Sequence, residues 1–148
     1  MKVSQELNKL FERDLIKLKE EISSYSNEED LWLIGGGIKN TAGNLAMHLC
    51  GNLQYFVGTI LAETGYVRDR DFEFEGKLSR FEIIEEIEQT KSTLASYFAT
   101  STFEDYEVDY PLEVFGHRMT TFYFLTHLQG HLNYHLGQVN YHRRILTK

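Results

Sequence analysis

Apolar residues recur every three or four positions over residues 4–25, where Leu7, Leu10, Phe11, Leu15, Leu18, Ile22 and Tyr25 trace one stripe along a helix. That spacing predicts a first helix with a single buried face. The pattern breaks in SNEEDLWLIGGGIKN, where Gly35, Gly36 and Gly37 mark a loop that Trp32 is placed to pin against the core. No strand leads into these glycines and no Gly-Lys-Ser/Thr follows them, so they do not read as a phosphate loop.

Asn40 or Thr41 then offers a cap for a second helix running to about Glu63, with Leu45, Leu49, Leu53, Phe56 and Ile60 along one face. The next segment, TGYVRDRDFEFEG, is polar and reads as a connection, its alternating Arg68, Asp69, Arg70 and Asp71 forming surface ion pairs. Ser79 and Glu82 match a capping box for a third helix carrying Phe81, Ile84, Ile87, Leu94 and Phe98, with Glu82, Glu85, Glu86 and Glu88 on a solvated face. Residues 106–118 hold Pro111 and Gly116 among β-formers and predict an extended or hairpin-like excursion. A long last helix follows from about Thr120 to Leu146. Four helical segments joined by long, unequal connections predict an all-α protein, a four-helix bundle.

With 148 residues, 42% of them hydrophobic and one proline, the chain suits a single domain over 1–148 with no flexible linker. It has no apolar run of membrane-spanning length, and its start, MKVSQELNKLFERDLIKLKEE, lacks the apolar stretch of a signal peptide, so a cytoplasmic protein is expected. The one cysteine, Cys50, excludes an internal disulfide framework. A net charge of −7 opposes binding to phosphate backbones, and no nucleic-acid partner is expected. Arg143, Arg144 and Lys148 read instead as cations at the end of the last helix.

The chemistry concentrates in HLQGHLNYHLGQ, residues 127–138, which holds three of the six histidines. Each helical residue advances about 100°, so with Leu128 at zero the core residues Leu125, Leu132, Leu136 and Val139 span about 0° to +80°. His135 then falls near −20° and His131 near −60°, on one flank of the buried face, while His127 near −100° turns toward solvent. His142 faces inward but lies two turns beyond His135. On the second helix His48 sits at about −60° from Leu45, the offset of His131, with Asn44, Asn52 and Thr59 on the same flank. Two helices presenting histidine beside their apolar stripes suggest three convergent imidazoles, a set suited to zinc, nickel or iron with open coordination positions. The competing reading is that these side chains edge the core as ordinary polar aromatics.

Asn44, Asn52 and Gln138 are candidates to orient the ligands or a substrate, or to make plain interhelical hydrogen bonds. Gly130 and Gly137 hint at close backbone approach or room for a ligand, as do Gly43, Gly51 and Gly58. Cys50 points about 200° away from His48 and reads as a small buried residue. His117 lies in the excursion. There is no hydrolase triad motif and no pair of Glu-x-x-His sequences of the di-iron type.

The helix-two segment GNLAMHLCGNLQYF, the connection GYVRDRDFEF and the final segment GHLNYHLGQVNYHRR together resemble the DinB/YfiT-like superfamily of four-helix-bundle proteins. The shared pattern, His, three residues, His, one residue, Gly-Gln, is met by His131, His135, Gly137 and Gln138, with Leu136 where many relatives carry arginine. The resemblance covers nearly the whole chain and implies a divalent metal held by His48, His131 and His135, choosing the 131/135 pair over 127/131. It also implies a homodimer and, in some branches, transfer of a low-molecular-weight thiol such as bacillithiol or mycothiol to a small-molecule electrophile. Metal-assisted hydrolysis, and a non-catalytic stress-related binding protein with a structural metal or none, are the alternatives.

Overall fold

The computed structural model describes residues 2–147 and is all-α, with no strand among the described residues. Helix α1 (Val3–Ser23) buries Leu7, Phe11, Leu15, Leu18 and Ile22, as its spacing requires. Leu10, assigned to the same stripe, is exposed, whereas Tyr25 just past the helix is buried. A 3-10 turn (Glu28–Trp32) leads into a loop in which Gly36 and Gly37 take positive φ, a conformation glycine adopts without steric cost.

Of the two candidate caps, Thr41 is the one used: its hydroxyl accepts from the Asn44 backbone N–H and opens α2 (Ala42–Leu53). Every residue of α2 is buried, because α1, α3, α4 and α6 all pack around it. The predicted continuous helix to Glu63 is interrupted, since the chain widens into a π-helical stretch (Gln54–Thr59) and Glu63 has a positive φ.

The segment expected to be a mere connection forms a short helix, α3 (Arg70–Glu75), capped by Asp69, with Glu73 buried. Helix α4 (Arg80–Thr100) starts at the predicted capping box of Ser79 and Glu82. Its buried stripe runs through Ile83, Ile87, Leu94 and Phe98; Phe81 is exposed, so the assigned face was rotated at its start. The glutamates of α4 do not all face solvent either. Glu86 is half-buried, and burial, then the charges of Glu73 and Glu82, raise its carboxyl above the usual range.

A single helical turn, α5 (Phe103–Glu107), leads into the predicted excursion, where Tyr110 N–H donates to Met119 O and Thr121 N–H to Val108 O. These bonds close a hairpin-like loop around an isolated antiparallel bridge between Asp109 and Thr120. Thr120 caps α6 (Thr121–Leu146), whose inner face of Phe124, Leu125, Leu128, Leu132, Leu136 and Val139 meets α1 and α2. Polar contacts fix that packing: buried Asp14 of α1 accepts from Gln129 and Asn133, and Glu21 accepts from Asn140 and Arg143. No helix is long and apolar enough to cross a membrane.

The glycines divide into two kinds. A Cβ on Gly43 would lie 2.6 Å from the Trp32 ring, so this glycine admits the indole that anchors the loop before α2. Around Gly130 and Gly137, by contrast, a Cβ would meet nothing within 4 Å, so close approach within the chain does not explain them. Gly43→Ala must displace a rigid ring, and we expect it to lower unfolding free energy by about 1–3 kcal/mol. Urea denaturation measures the loss, and the emission of Trp32, the one tryptophan in the chain, should shift in the folded variant.

Candidate metal centre

His48 leaves α2 toward α6, and its Nε2 lies 3.3 Å from Nε2 of His131. The ring of His135 stands 5.5 Å from that of His48 and 4.5 Å from that of His131, both nearly perpendicular. One nitrogen from each of the three rings falls within 4.8 Å of the others. His48 is buried; His131 and His135, on the flank of α6, are half-buried.

A carboxylate from α3 reaches His48 from behind. Asn44, one turn before His48, donates its side-chain N–H to the carbonyls of Glu73 at 3.0 Å and Gly76 at 2.9 Å, clamping α3 onto α2. Glu73 Oε1 then sits 3.1 Å from His48 Nδ1. Gly51 makes this possible, because a Cβ there would lie 2.0 Å from Glu73 Oε2. Arg68 completes the layer, donating from Nε to Glu73 Oε2 and from Nη2 to Oε1, each at 2.8 Å.

Protons can be assigned from these partners. Burial pushes the Glu73 carboxyl up, but the hydrogen bonds from Arg68 and His48 and their charges outweigh it, leaving Glu73 below its ordinary range and ionised. An ionised carboxylate only accepts, so His48 Nδ1 carries a proton and Nε2 is the nitrogen turned toward His131. Arg68 Nη2 also lies 3.4 Å from His48 Nδ1, but the shorter contact to Glu73 and the two bonds that Arg68 already makes decide the assignment. Gln138 acts likewise on His135, accepting from its Nδ1 at 2.6 Å and freeing Nε2. Burial, and then the neighbouring His135, His48, His127 and Arg68, pull His131 down to about 3, and burial also lowers His135. Both are therefore neutral at neutral pH.

This donor set fits a divalent cation. Two nitrogens at about 2.0–2.1 Å from a tetrahedral zinc stand about 3.3 Å apart, which is the observed His48–His131 separation. The outer nitrogens of His48 and His135 are held by a carboxylate and an amide oxygen, the arrangement that fixes tautomer and direction in metal-binding histidines. The same His48–His131 pair can instead share one proton as a hydrogen bond. In either state His131 Nδ1 is buried without a partner, as is Asn52 Oδ1.

The other candidates lie outside the group. His127 is exposed, its ring 4.8 Å from Phe115 and 6.3 Å from His131. His142 is buried with both nitrogens occupied, by Tyr25 Oη at 2.7 Å and Leu33 O at 2.8 Å. His117 is exposed beside the Arg118 carbonyl. Cys50 is buried, and burial pushes its thiol up to about 12. Asn44 binds backbone rather than the imidazoles. The sequence pattern missed Glu73 and Arg68, which it assigned to a connection and a surface ion pair. A signal that pointed to them was Gly51, a residue without a side chain one turn beyond His48 in a buried helix.

Gln138 also lines a cavity of about 470 Å³ together with Leu45, Tyr141 and the loop over Gly36–Asn40, though none of the three histidines reaches its wall. A larger cleft of about 640 Å³ between α4 and the 105–111 segment carries none of the three histidines. No family model and no curated protein sequence matches the chain. A conserved protein from Enterococcus faecalis, known as a crystal structure, has a similar fold, with a TM-score of 0.78 at 14% identity over 99% of this chain and 98% of its own. At that identity the likeness speaks for the all-α fold alone.

Proposed function

We propose that this chain is a cytoplasmic, DinB/YfiT-like four-helix-bundle metalloenzyme that transfers a low-molecular-weight thiol to a small electrophile. The observation that carries the reading is the convergence of three imidazoles, two of which, His48 and His135, have their outer nitrogens fixed by Glu73 and Gln138. His48, His131 and His135 would hold the ion. When bound, a divalent metal with three protein ligands supplies a Lewis acid that lowers the pKa of a thiol or water in an open position.

The chain's own residues prepare that position. Glu73 holds the His48 proton on Nδ1 and adds ligand basicity, and Arg68 keeps Glu73 ionised in its buried setting. Gln138 orients His135 and also lines the 470 Å³ cavity, which makes it the one residue common to the histidine group's hydrogen bonds and that cavity. Metal-assisted hydrolysis fits the same ligands with water in place of thiol. The 3.3 Å His48–His131 contact supports a second reading, a non-catalytic protein in which two imidazoles share a proton.

Elemental analysis of untagged protein, purified without chelator, separates these readings. The expected result is about one divalent ion per chain, lost in His48→Ala and in His131→Ala with helical circular dichroism retained. Absence of metal after incubation with zinc, nickel and iron would support the shared-proton reading, and full occupancy in both variants would reject the assigned ligands. For the loaded protein, conjugation of a small thiol to 1-chloro-2,4-dinitrobenzene should be catalysed by the parent and lost in His48→Ala.

Glu73→Gln keeps the shape but removes the charge facing His48, and we expect metal affinity to fall about 10- to 100-fold. Competition against a chromogenic chelator measures it. An unchanged affinity would confine Glu73 to a packing role.

A further inference from the structure

We infer that Asn52 holds the outer nitrogen of His131 through one buried water, so that each imidazole of the group is aimed by an oxygen behind it. Glu73 faces Nδ1 of His48 at 3.1 Å, and Gln138 faces Nδ1 of His135 at 2.6 Å. His131 lacks a direct counterpart, because its Nδ1 is buried and bonded to no protein atom. Two further buried side-chain atoms share that condition among the described residues, Nε of Arg80 and Oδ1 of Asn52. Arg80 opens α4, where it contacts Glu28 and Ser23 rather than the histidine group. Asn52 is 7% exposed and lies one turn beyond His48 on α2, which puts its unpaired acceptor beside the group.

Helix packing brings the two unpaired atoms to one level. The chain from α2 onward runs antiparallel to α6: His48 meets His131 and His135 with ring centres 5.1 and 5.5 Å away, and further along Phe56 meets Phe124 at 5.1 Å. Asn52 is midway between His48 and Phe56, so it stands level with the turn around buried Leu128. Helical side chains lean toward the N-terminus of their own helix, and that lean carries the His131 ring toward the same turn. With Nε2 of His131 turned to His48 at 3.3 Å, Nδ1 is the ring nitrogen left to face Asn52.

The chemistry of the pair explains both the water and the amide. The two atoms make no direct hydrogen bond, and buried polar groups in that position are bridged by water, which donates and accepts. When His131 donates from Nε2 to His48, Nδ1 is an acceptor, and the water donates both to it and to Asn52 Oδ1. When a cation takes the Nε2 lone pair, Nδ1 carries the proton and donates to the water, which still donates to Oδ1. A neutral amide suits both states, whereas a carboxylate at 52 would place a second buried charge near Glu73. The other polar side chain beside the ring is His127, exposed and with its ring centre 6.3 Å away.

The link can be tested without metal, while its effect on a bound ion rests on the metal reading. Histidine-labelled nitrogen NMR of the metal-free full chain reads the link: the His131 Nδ1 resonance should move toward that of an unbonded ring nitrogen in Asn52→Leu and hold in Asn52→Asp and in His127→Ala. Leucine matches the size of asparagine and removes an unpaired buried acceptor, so thermal unfolding should be unchanged or raised. Zinc affinity, read by chelator competition, should nevertheless fall about 10- to 100-fold in Asn52→Leu and stay near the parent in Asn52→Asp. A resonance unmoved by Asn52→Leu, or moved as far by His127→Ala, would overturn the link. A moved resonance with unchanged zinc affinity would overturn the positioning role, and a parent that binds no zinc would reject the metal reading while the NMR comparison still decides the link.

Discussion

The arrangement depends on holding a charged carboxylate inside a helical core. Glu73 is buried, and an ionised carboxylate in that position is tolerable only if it is paired and hydrogen-bonded. Three features of the chain meet that condition together. Arg68 supplies a forked cation, His48 a ring N–H, and Asn44 ties down the backbone on which Glu73 rides. Gly51 provides the volume. Removing one partner leaves the others with an unmet charge, which makes this cluster a unit rather than a set of separate contacts.

The carboxylate in turn decides what the histidines are. An imidazole beside a bare apolar wall has no partner to fix its tautomer, whereas His48 facing Glu73 must put a proton on Nδ1 and turn Nε2 toward α6. Across the gap, burial lowers His131 and His135, so neither brings a positive charge toward His48 at neutral pH. Lone pairs aimed at a shared point repel unless a proton or a cation lies between them. A proton shared between His48 and His131, or a cation held by all three rings, would meet that condition.

Much of this was legible in the sequence, for identifiable reasons. Helix starts were readable because Thr41, Ser79 and Thr120 satisfy backbone N–H groups locally, a matter of a few adjacent residues. His48, His131 and His135 were readable because helical offset converts position into direction, and two helices gave matching offsets. Glu73 was not readable, because its burial depends on a tertiary clamp by Asn44 from another helix, while FEFEG has the composition of a surface segment. The register error at the start of α4 has a similar origin. Phe81 and Ile83 are equally apolar, and only the neighbouring helices decide which one faces inward.

Helix α6 shows how far a single element can be divided. About a third of its circumference is leucine-rich and packs on α1 and α2; the next flank carries His131 and His135 with Gln138; the side away from the core is aromatic and uncharged. These demands constrain one another. A histidine pair four residues apart fixes which rotation of the helix faces α2, and this rotation sends Tyr134 and Tyr141 outward regardless of their apolar character. Glycine at 130 and 137 is then a poor helix former and the residue that leaves the outer surface closest to the backbone. The pattern that first draws the eye in residues 127–138 is therefore two patterns interleaved, with His131 and His135 on one flank and His127 and the glycines turned to the exposed side.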